Sequence, residues 1–278
     1  MSVSQFIPSV WSARIYEKLQ ETLVYGQPQV VNTDYQGDLT NFGDTVHAHS
    51  FSDVTVSPYQ RNTTVLSYQE LDDERRSITV DQSDYFGVRL DDLDAAQMQP
   101  KIVDRVSQNA AYQLAATQDS FVASTAVAGA GTTLDDAGTA RAITTANAYT
   151  TFLEASVMLD EANIPEQGRY AVVPPWMAAV LLQDDRYFLQ ARGDAILNAQ
   201  IGQIAGISIL KSNRVPVGTS VSNVLIGHNM AFTYVSQINK TEGMRDKDSF
   251  ADLLRGLQLY GGKVLYPEAL INLRASQG

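Results

Sequence analysis

The spacing of apolar residues changes several times along the chain, and each change predicts a different kind of element. Behind Phe6-Ile7-Pro8, residues Trp11, Ile15, Leu19 and Leu23 fall at steps of four, which predicts an amphipathic helix over 6–24 with Pro8 near its start. Gly26, Pro28 and the polar stretch Asn32–Asp44, holding Gly37 and Gly43, show little periodicity and read as extended chain. From Thr45 to about Leu90 the texture turns to short β-type runs: Val54 and Val56, Thr63–Tyr68, Ile78 and Val80, then Phe86, Val88 and Leu90. Their alternation predicts half-exposed strands. Between them, Gln69-Glu70-Leu71-Asp72-Asp73-Glu74-Arg75-Arg76 is charged and aperiodic, and reads as a turn or the tip of a projecting hairpin. A two-stranded flap with one weakly apolar face is marginal alone, so this region implies a partner surface.

The clearest element follows. Over roughly Gln99–Ala128, residues Met98, Ile102, Val106, Ala110, Leu114, Thr117 and Phe121 recur at steps of three or four, with Pro100 in the first turn. At 1.5 Å per residue this predicts a helix about 40 Å long, well beyond the ~12-residue average, and able to act as a strut. Gly129-Ala130-Gly131-Thr132-Thr133 ends it, and a second amphipathic helix is predicted over Thr144–Ala162, carrying Phe152, Leu153, Val157 and Leu159. Tyr170–Val173 is a short continuous apolar run, consistent with a buried strand. Pro174-Pro175 then launches a helix with Trp176, Met177, Val180 and Leu181. Further strands are predicted at Ala205–Lys211, Val224–Gly227, Ala231–Val235, Leu253–Tyr260 and Lys263–Tyr266, and no solenoid repeat is visible.

Composition narrows the reading. The 278 residues, 44% of them hydrophobic, suffice for one large domain or two intimate ones. Charged residues make up only 18%, below the ~25% of an average soluble protein, which suits broad subunit contacts. A formal net charge of −11 opposes tight nucleic-acid binding, which needs cations to neutralise phosphates. There is no Cys, so disulfides and thiolate metal sites are excluded. No run approaches the ~18 apolar residues of a membrane span, and Met1–Val10 lacks the pattern of a signal peptide, so synthesis in the cytoplasm without membrane contact is expected.

Candidate chemistry is sparse. His47 and His49 would share one face of a strand, spacing that suits a metal, but no Cys or evident third ligand accompanies them or the distant His228. A surface or interface role is the simpler reading. Asp91, Asp92 and Asp94 precede the long helix, where carboxylates complement the helix dipole; the run lacks the Gly and distant Glu of a calcium loop. The segment Glu70–Arg76 is either a solvated turn or an intersubunit ion-pair patch. No Gly-x-Ser-x-Gly, Ser-x-x-Lys or Walker loop is present, and Gly202-Gln203-Ile204-Ala205-Gly206 lacks the Lys and Ser/Thr of a phosphate loop. Trp11, Trp176 and the 13 Tyr lie in amphipathic elements, so packing is favoured over stacking on bases or sugars. No catalytic residue, cofactor or metal is assigned.

This order of elements resembles the major capsid proteins of tailed phages. Phe6-Ile7-Pro8, Trp11-Ser12, Asp34-Tyr35-Gln36-Gly37 and Gly43-Asp44-Thr45-Val46 are similar to the opening of capsid proteins from actinophages and related siphophages. So are Tyr68-Gln69-Glu70-Leu71-Asp72-Asp73 with Asp81-Gln82, Asp91-Asp92-Leu93-Asp94-Ala95-Ala96-Gln97, Arg169–Pro175, Asp184-Asp185-Arg186-Tyr187-Phe188 and Gly206–Asn213. The resemblance implies an α+β, Hong Kong 97-like phage capsid fold. It divides the chain by position into an N-terminal arm (1–43), an E-loop β-hairpin (44–92), a peripheral domain with the long spine helix (93–135 and 245–278) and an axial domain (136–244). It further implies pentamers and hexamers that close an icosahedral virion shell around double-stranded DNA, without sequence-specific binding, assembled in the host bacterial cytoplasm.

The resemblance also implies partners. A portal and decoration proteins are expected and, because the arm starts by Phe6, a separate scaffolding protein or none. Relatives that lock neighbours with Lys–Asn isopeptide bonds use an E-loop Lys. Here the lysines are Lys18, Lys101, Lys211, Lys240, Lys247 and Lys263, so 44–92 has none. Burial of arm and E-loop on neighbouring subunits is expected to drive assembly. The expected interface residues are Phe6, Trp11, Arg61, Glu70, Asp72, Asp73, Arg75 and Arg76, with Arg61, Arg75 and Arg76 pairing with acidic patches next door. An encapsulin-like nanocompartment shell is the alternative in the same fold. A hydrolase and a head-decoration protein are rivals of other classes.

Overall fold

A computed structural model of the chain describes residues 23–35, 43, 45–51, 61, 73–91, 101–135, 140–184, 202–218, 220–247 and 251–278. Strands β1 (Thr45–Phe51) and β2 (Asp73–Thr79) form an antiparallel ribbon. Next come β3 (Gln82–Asp91) and the long helix α1 (Lys101–Ala128), whose 28 residues span ~42 Å. Strands β4 (Thr132–Leu134) and β5 (Arg141–Ile143), helix α2 (Ala148–Glu161), strand β6 (Arg169–Val173) and helix α3 (Pro175–Leu182) follow. The chain ends with β7 (Gln203–Ile204), β8 (Ile207–Lys211), β9 (Ser222–His228), β10 (Phe232–Arg245), β11 (Ala251–Val264), a 3₁₀ turn at Pro267–Ala269 and β12 (Leu270–Gln277).

Two larger sheets share α1. One is antiparallel, ordered β10-β11-β3; the other has seven strands, ordered β4-β12-β9-β6-β8-β7, with β5 also on β12. Helix α1 packs on β11 of the first and on β9 and β12 of the second, so it braces both, as a strut would. Strand β6 shows why the seven-stranded sheet is rigid: Ala171 and Val173 join the core under α2 and α3, while Tyr170 and Val172 join the core under α1. A strand buried on both faces reads as an unbroken apolar run, as Tyr170–Val173 does.

Several expectations need correction. The buried stripe of α1 is Ala111, Leu114, Ala115, Gln118, Asp119, Val122, Ala123 and Ala126, so Thr117 faces solvent and Ala110 and Phe121 are half-buried. Four alanines let strands approach closely, which moves the packed face by one position. On α2, Phe152 and Leu159 are buried, but Leu153 and Val157 are exposed. Asp73–Arg76, read as part of a turn or tip, lie in β2, where pairing with Ala48–Phe51 supplies the backbone hydrogen bonds. Residues 82–91 do not belong to a free flap, since β3 pairs along its length with β11. Ala205, placed in a strand by sequence, sits with Gly206 in the β7–β8 turn at φ values of 48° and 78°.

The two predicted strands Leu253–Tyr260 and Lys263–Tyr266 are one strand, β11, running through Gly261 and Gly262. These glycines are required by crowding. A Cβ on Gly261 would meet the Thr79 carbonyl oxygen at 2.3 Å, and one on Gly262 would meet the Phe232 ring at 2.7 Å. Strand β12, not anticipated, pairs with β9, β4 and β5. Residues 270–277, grouped by position with the peripheral segment, therefore hydrogen-bond into the sheet that also holds β6 and β9.

Candidate assembly surfaces

The root of the arm is fixed to its own subunit. Tyr25, Val30 and Val31 are buried among Val122, Ala126, Tyr170 and Phe232, and the Asn32 N–H donates to the Phe232 carbonyl at 2.8 Å. This part of the arm is therefore not free to bury on a neighbour, contrary to expectation. The Asp119 carboxylate anchors the turn above it, accepting hydrogen bonds from the backbone N–H of Val24 (2.9 Å), Tyr25 (3.0 Å) and Gly26 (3.2 Å). Burial pushes the Asp119 carboxyl above the usual carboxylate range, opposed by those three N–H groups and by the Arg214 charge. Burial, with Tyr170 and Asp119 nearby, also pushes the Tyr25 hydroxyl up.

The base of the ribbon is tied to the body. Ile78 packs with Leu265 and Tyr35, Val80 packs with Val235 and Leu259, and the Gly43 N–H donates to the Val80 carbonyl at 3.0 Å. Beyond that base, β1 and β2 have only each other as strand partners among the described residues. Register sets His49 opposite Arg75, Ala48 opposite Arg76 and Phe51 opposite Asp73, so three of the expected interface residues share one strand. Arg61 is exposed in a turn. Phe6, Trp11, Glu70 and Asp72 lie outside the described residues, as do Asp92 and Asp94. His47 sits opposite Ser77 on β1, and His228 is engaged locally, its Nε2 at 2.6 Å from the Gln167 carbonyl.

Two exposed surfaces escaped the sequence reading. On the outer face of the three-stranded sheet, Tyr85 is 82% exposed opposite Leu257, and Met244 is exposed nearby. A shallow cleft of 360 Å³ runs past Tyr85, Leu257 and the Arg255–Glu242 ion pair of 2.5 Å. On α2, exposed Leu153 and Val157 are one turn apart and so share a face. No periodic argument separates an exposed apolar residue from a core one, but a charged or polar position on the opposite strand, as with Glu242 and Arg255, is the available hint.

Such surfaces can bind protein by apolar burial with oriented ion pairs at the rim. Among the described residues there is no group of three or more His, Asp or Glu placed to hold a metal ion, and no helix long and apolar enough to cross a membrane.

Comparison with known proteins bears on what the surfaces meet. Residues 74–273 match the family described as phage capsid protein. A structure from Mycobacterium phage Che8 is similar over 90% of this chain and 90% of its own, with a TM-score of 0.72 and 29% identity. The capsid structure of cyanophage P-SCSP1u shares the fold over 92% of this chain and 89% of its own, at a TM-score of 0.73 and 18% identity. A virus-like particle from Pyrococcus furiosus shares the fold at a TM-score of 0.61 and 11% identity, over 95% and 98% of the two chains. No curated protein sequence matches.

Proposed function

The chain belongs to the phage capsid protein family, and from that premise we propose how this major capsid protein, a structural subunit of the virion shell with an α+β, Hong Kong 97-like fold, joins its neighbours. Copies assemble as pentamers and hexamers into an icosahedral shell around double-stranded DNA, in the host bacterial cytoplasm and without sequence-specific DNA contacts. The acidity of the chain, net −11, keeps the inner wall from adhering to that DNA. We assign the chain no catalytic role.

The β1–β2 ribbon lies over a neighbouring subunit. The observation that carries this is that the ribbon has no further strand partner beyond its base among the described residues, and a two-stranded ribbon is marginal in water by itself. Arg61, Arg75 and Arg76 pair with acidic groups next door, and Glu70, Asp72 and Asp73 offer the reciprocal charge; these pairs orient the contact more than they strengthen it. Phe6 and Trp11, at the far end of the arm, add apolar anchors, worth ~25 cal/mol per Å² buried before entropy costs. By position the arm is 1–43, the E-loop 44–92 with its last strand, β3, anchored on β11, the peripheral domain 93–135 and 245–278, and the axial domain 136–244. A portal, a separate scaffolding protein and decoration proteins complete the head.

The nanocompartment alternative shares the fold but is weaker, because the family matched over 74–273 is a phage one. The test is expression of the chain with its neighbouring genes, followed by electron microscopy. Closed heads containing DNA are the expected result. A protein that stays a dispersed monomer at high concentration defeats the proposal, and shells loaded with a protein cargo favour the alternative. Within the proposal, the double variant Arg75→Glu, Arg76→Glu should leave the subunit folded by circular dichroism but fail to form heads; normal heads would remove the ribbon from the interface.

A further inference from the structure

Helix α1 and strand β11 meet through a contact that is apolar at both ends and polar in the middle. At one end Leu114 and Ala115 pack with Phe86, whose ring takes the space where a Cβ on Gly256 would lie, 2.2 Å away. Two turns further along α1, the Phe121 ring stands edge-on to Tyr260 at 5.3 Å. Helix and strand therefore run side by side, from Leu114 and Gly256 to Phe121 and Tyr260. The layer between these two aromatic contacts belongs to Gln118, in the buried stripe of α1, and to Gln258, which shares a strand face with Gly256 and Tyr260.

Neither side chain has what an amide needs. Gln118 is 0% and Gln258 1% exposed, and the oxygen and nitrogen of both amides lack a hydrogen-bond partner among the described residues. Asp84, opposite Gln258 in the strand register, is engaged instead by the Tyr260 hydroxyl, which donates to it at 2.8 Å. Buried amides are bonded in the large majority of proteins, to other protein groups or to ordered water. Apolar packing gives no reason for glutamine here, since Met or Leu would fill the same space without burying two N–H donors and an acceptor.

We propose that bound water bridges Gln118 and Gln258, making this layer a hydrated joint between two dry aromatic contacts. A buried water makes about three hydrogen bonds, and two amides supply donors and acceptors in that number. A direct bond between the amides would leave further donors unpaired, whereas water both donates and accepts and so serves the rest. The joint also selects the face of α1 that meets β11, because turning the helix about its axis would set these amides against apolar side chains. The inference concerns the interior of one subunit and is independent of what the subunit assembles into.

Two measurements test it. In a density map of the unaltered protein, from crystals of the subunit or from particles, a water peak is expected within about 3.2 Å of both amides. Amide contact without a peak, at a resolution where ordered water is visible elsewhere, would overturn the proposal. Denaturant unfolding of the full chain with Gln118→Met, Gln258→Met and both changes is the second measurement. Each single change strands the remaining amide and should lower the unfolding midpoint, whereas the double change removes both amides and should return it to the wild-type value or above. Effects that simply add, of either sign, would show two amides that share no water and would overturn the proposal.

Discussion

Asp119 on the long helix accepts a hydrogen bond from the backbone N–H of Tyr25 at 3.0 Å, across 94 positions of sequence. The same carboxylate takes the neighbouring N–H groups of Val24 and Gly26, so one side chain satisfies three consecutive donors in a turn that has no sheet to supply acceptors. The contact fixes the turn at Val24–Gly26 against the long helix.

Asp119→Ala should therefore destabilise the unassembled subunit, because a buried donor left without an acceptor costs about 1–3 kcal/mol. Denaturant unfolding of the dispersed protein measures the loss. Equal stability of variant and wild type would mean that water replaces the carboxylate without cost.

The same carboxyl gives a signed pH dependence. Burial raises its pKa in the folded state, so the fold binds the proton more tightly than the unfolded chain does. The corresponding stabilisation is complete below the ordinary carboxylate pKa of ~3.9 and is lost as pH rises through the raised value. Wild type should lose stability over that window relative to Asp119→Asn, which carries no titrating group there. Parallel stability profiles for the two proteins would contradict the assignment.

Glycine placement gives a sharper contrast. A Cβ on Gly261 would lie 2.3 Å from the Thr79 carbonyl oxygen and 2.9 Å from Val80 Cα, at the base of the ribbon, whereas nothing lies within 4 Å of one on Gly87. Backbone cannot yield as a side chain does, so Gly261→Ala should cost about 1–3 kcal/mol, while Gly87→Ala should stay within about 0.5 kcal/mol of wild type. Melting temperatures of the two variants decide it, and similar values would show that the ribbon base adjusts freely.

Lysine placement predicts a negative. Residues 44–92 contain no Lys, so the ribbon cannot donate an amine to an isopeptide bond with a neighbour. Assembled particles boiled in SDS should give one band of subunit mass. Ladders of covalent oligomers would refute the prediction.

What the sequence disclosed followed the range of the forces involved. The long helix and β6 were legible because a periodic stripe and a run buried on both faces are local signals. Gly261 and Gly262 read as a break because their reason, the crowding of Thr79 and Phe232, lies in other strands. Asp119 gave no signal in the sequence, because the N–H groups it accepts from lie 93 to 95 positions away. Leu153 and Val157 were assigned to the buried stripe of α2 because periodicity registers that a residue is apolar, not what covers it. The interface residues of the ribbon could be named but not paired, since their partners belong to other copies.

That misassignment becomes the most informative experiment on α2. Leu153 is 44% and Val157 47% exposed in the subunit, one turn apart, while Phe152, Ala155 and Leu159 fill the core on the other side of the helix. In a lone subunit their replacement by Asp removes little buried area, and surface changes of this kind stay within about 0.5 kcal/mol. If the pair meets another copy in the shell, the same change places two carboxylates in an apolar contact, where each unpaired charge costs far more than the lost area. Leu153→Asp, Val157→Asp should thus melt like wild type as a dispersed subunit and fail to yield particles. Particles of normal yield and thermal stability would show that this face remains in solvent after assembly, leaving the Tyr85 and Leu257 surface as another exposed apolar patch to be tested in the same way.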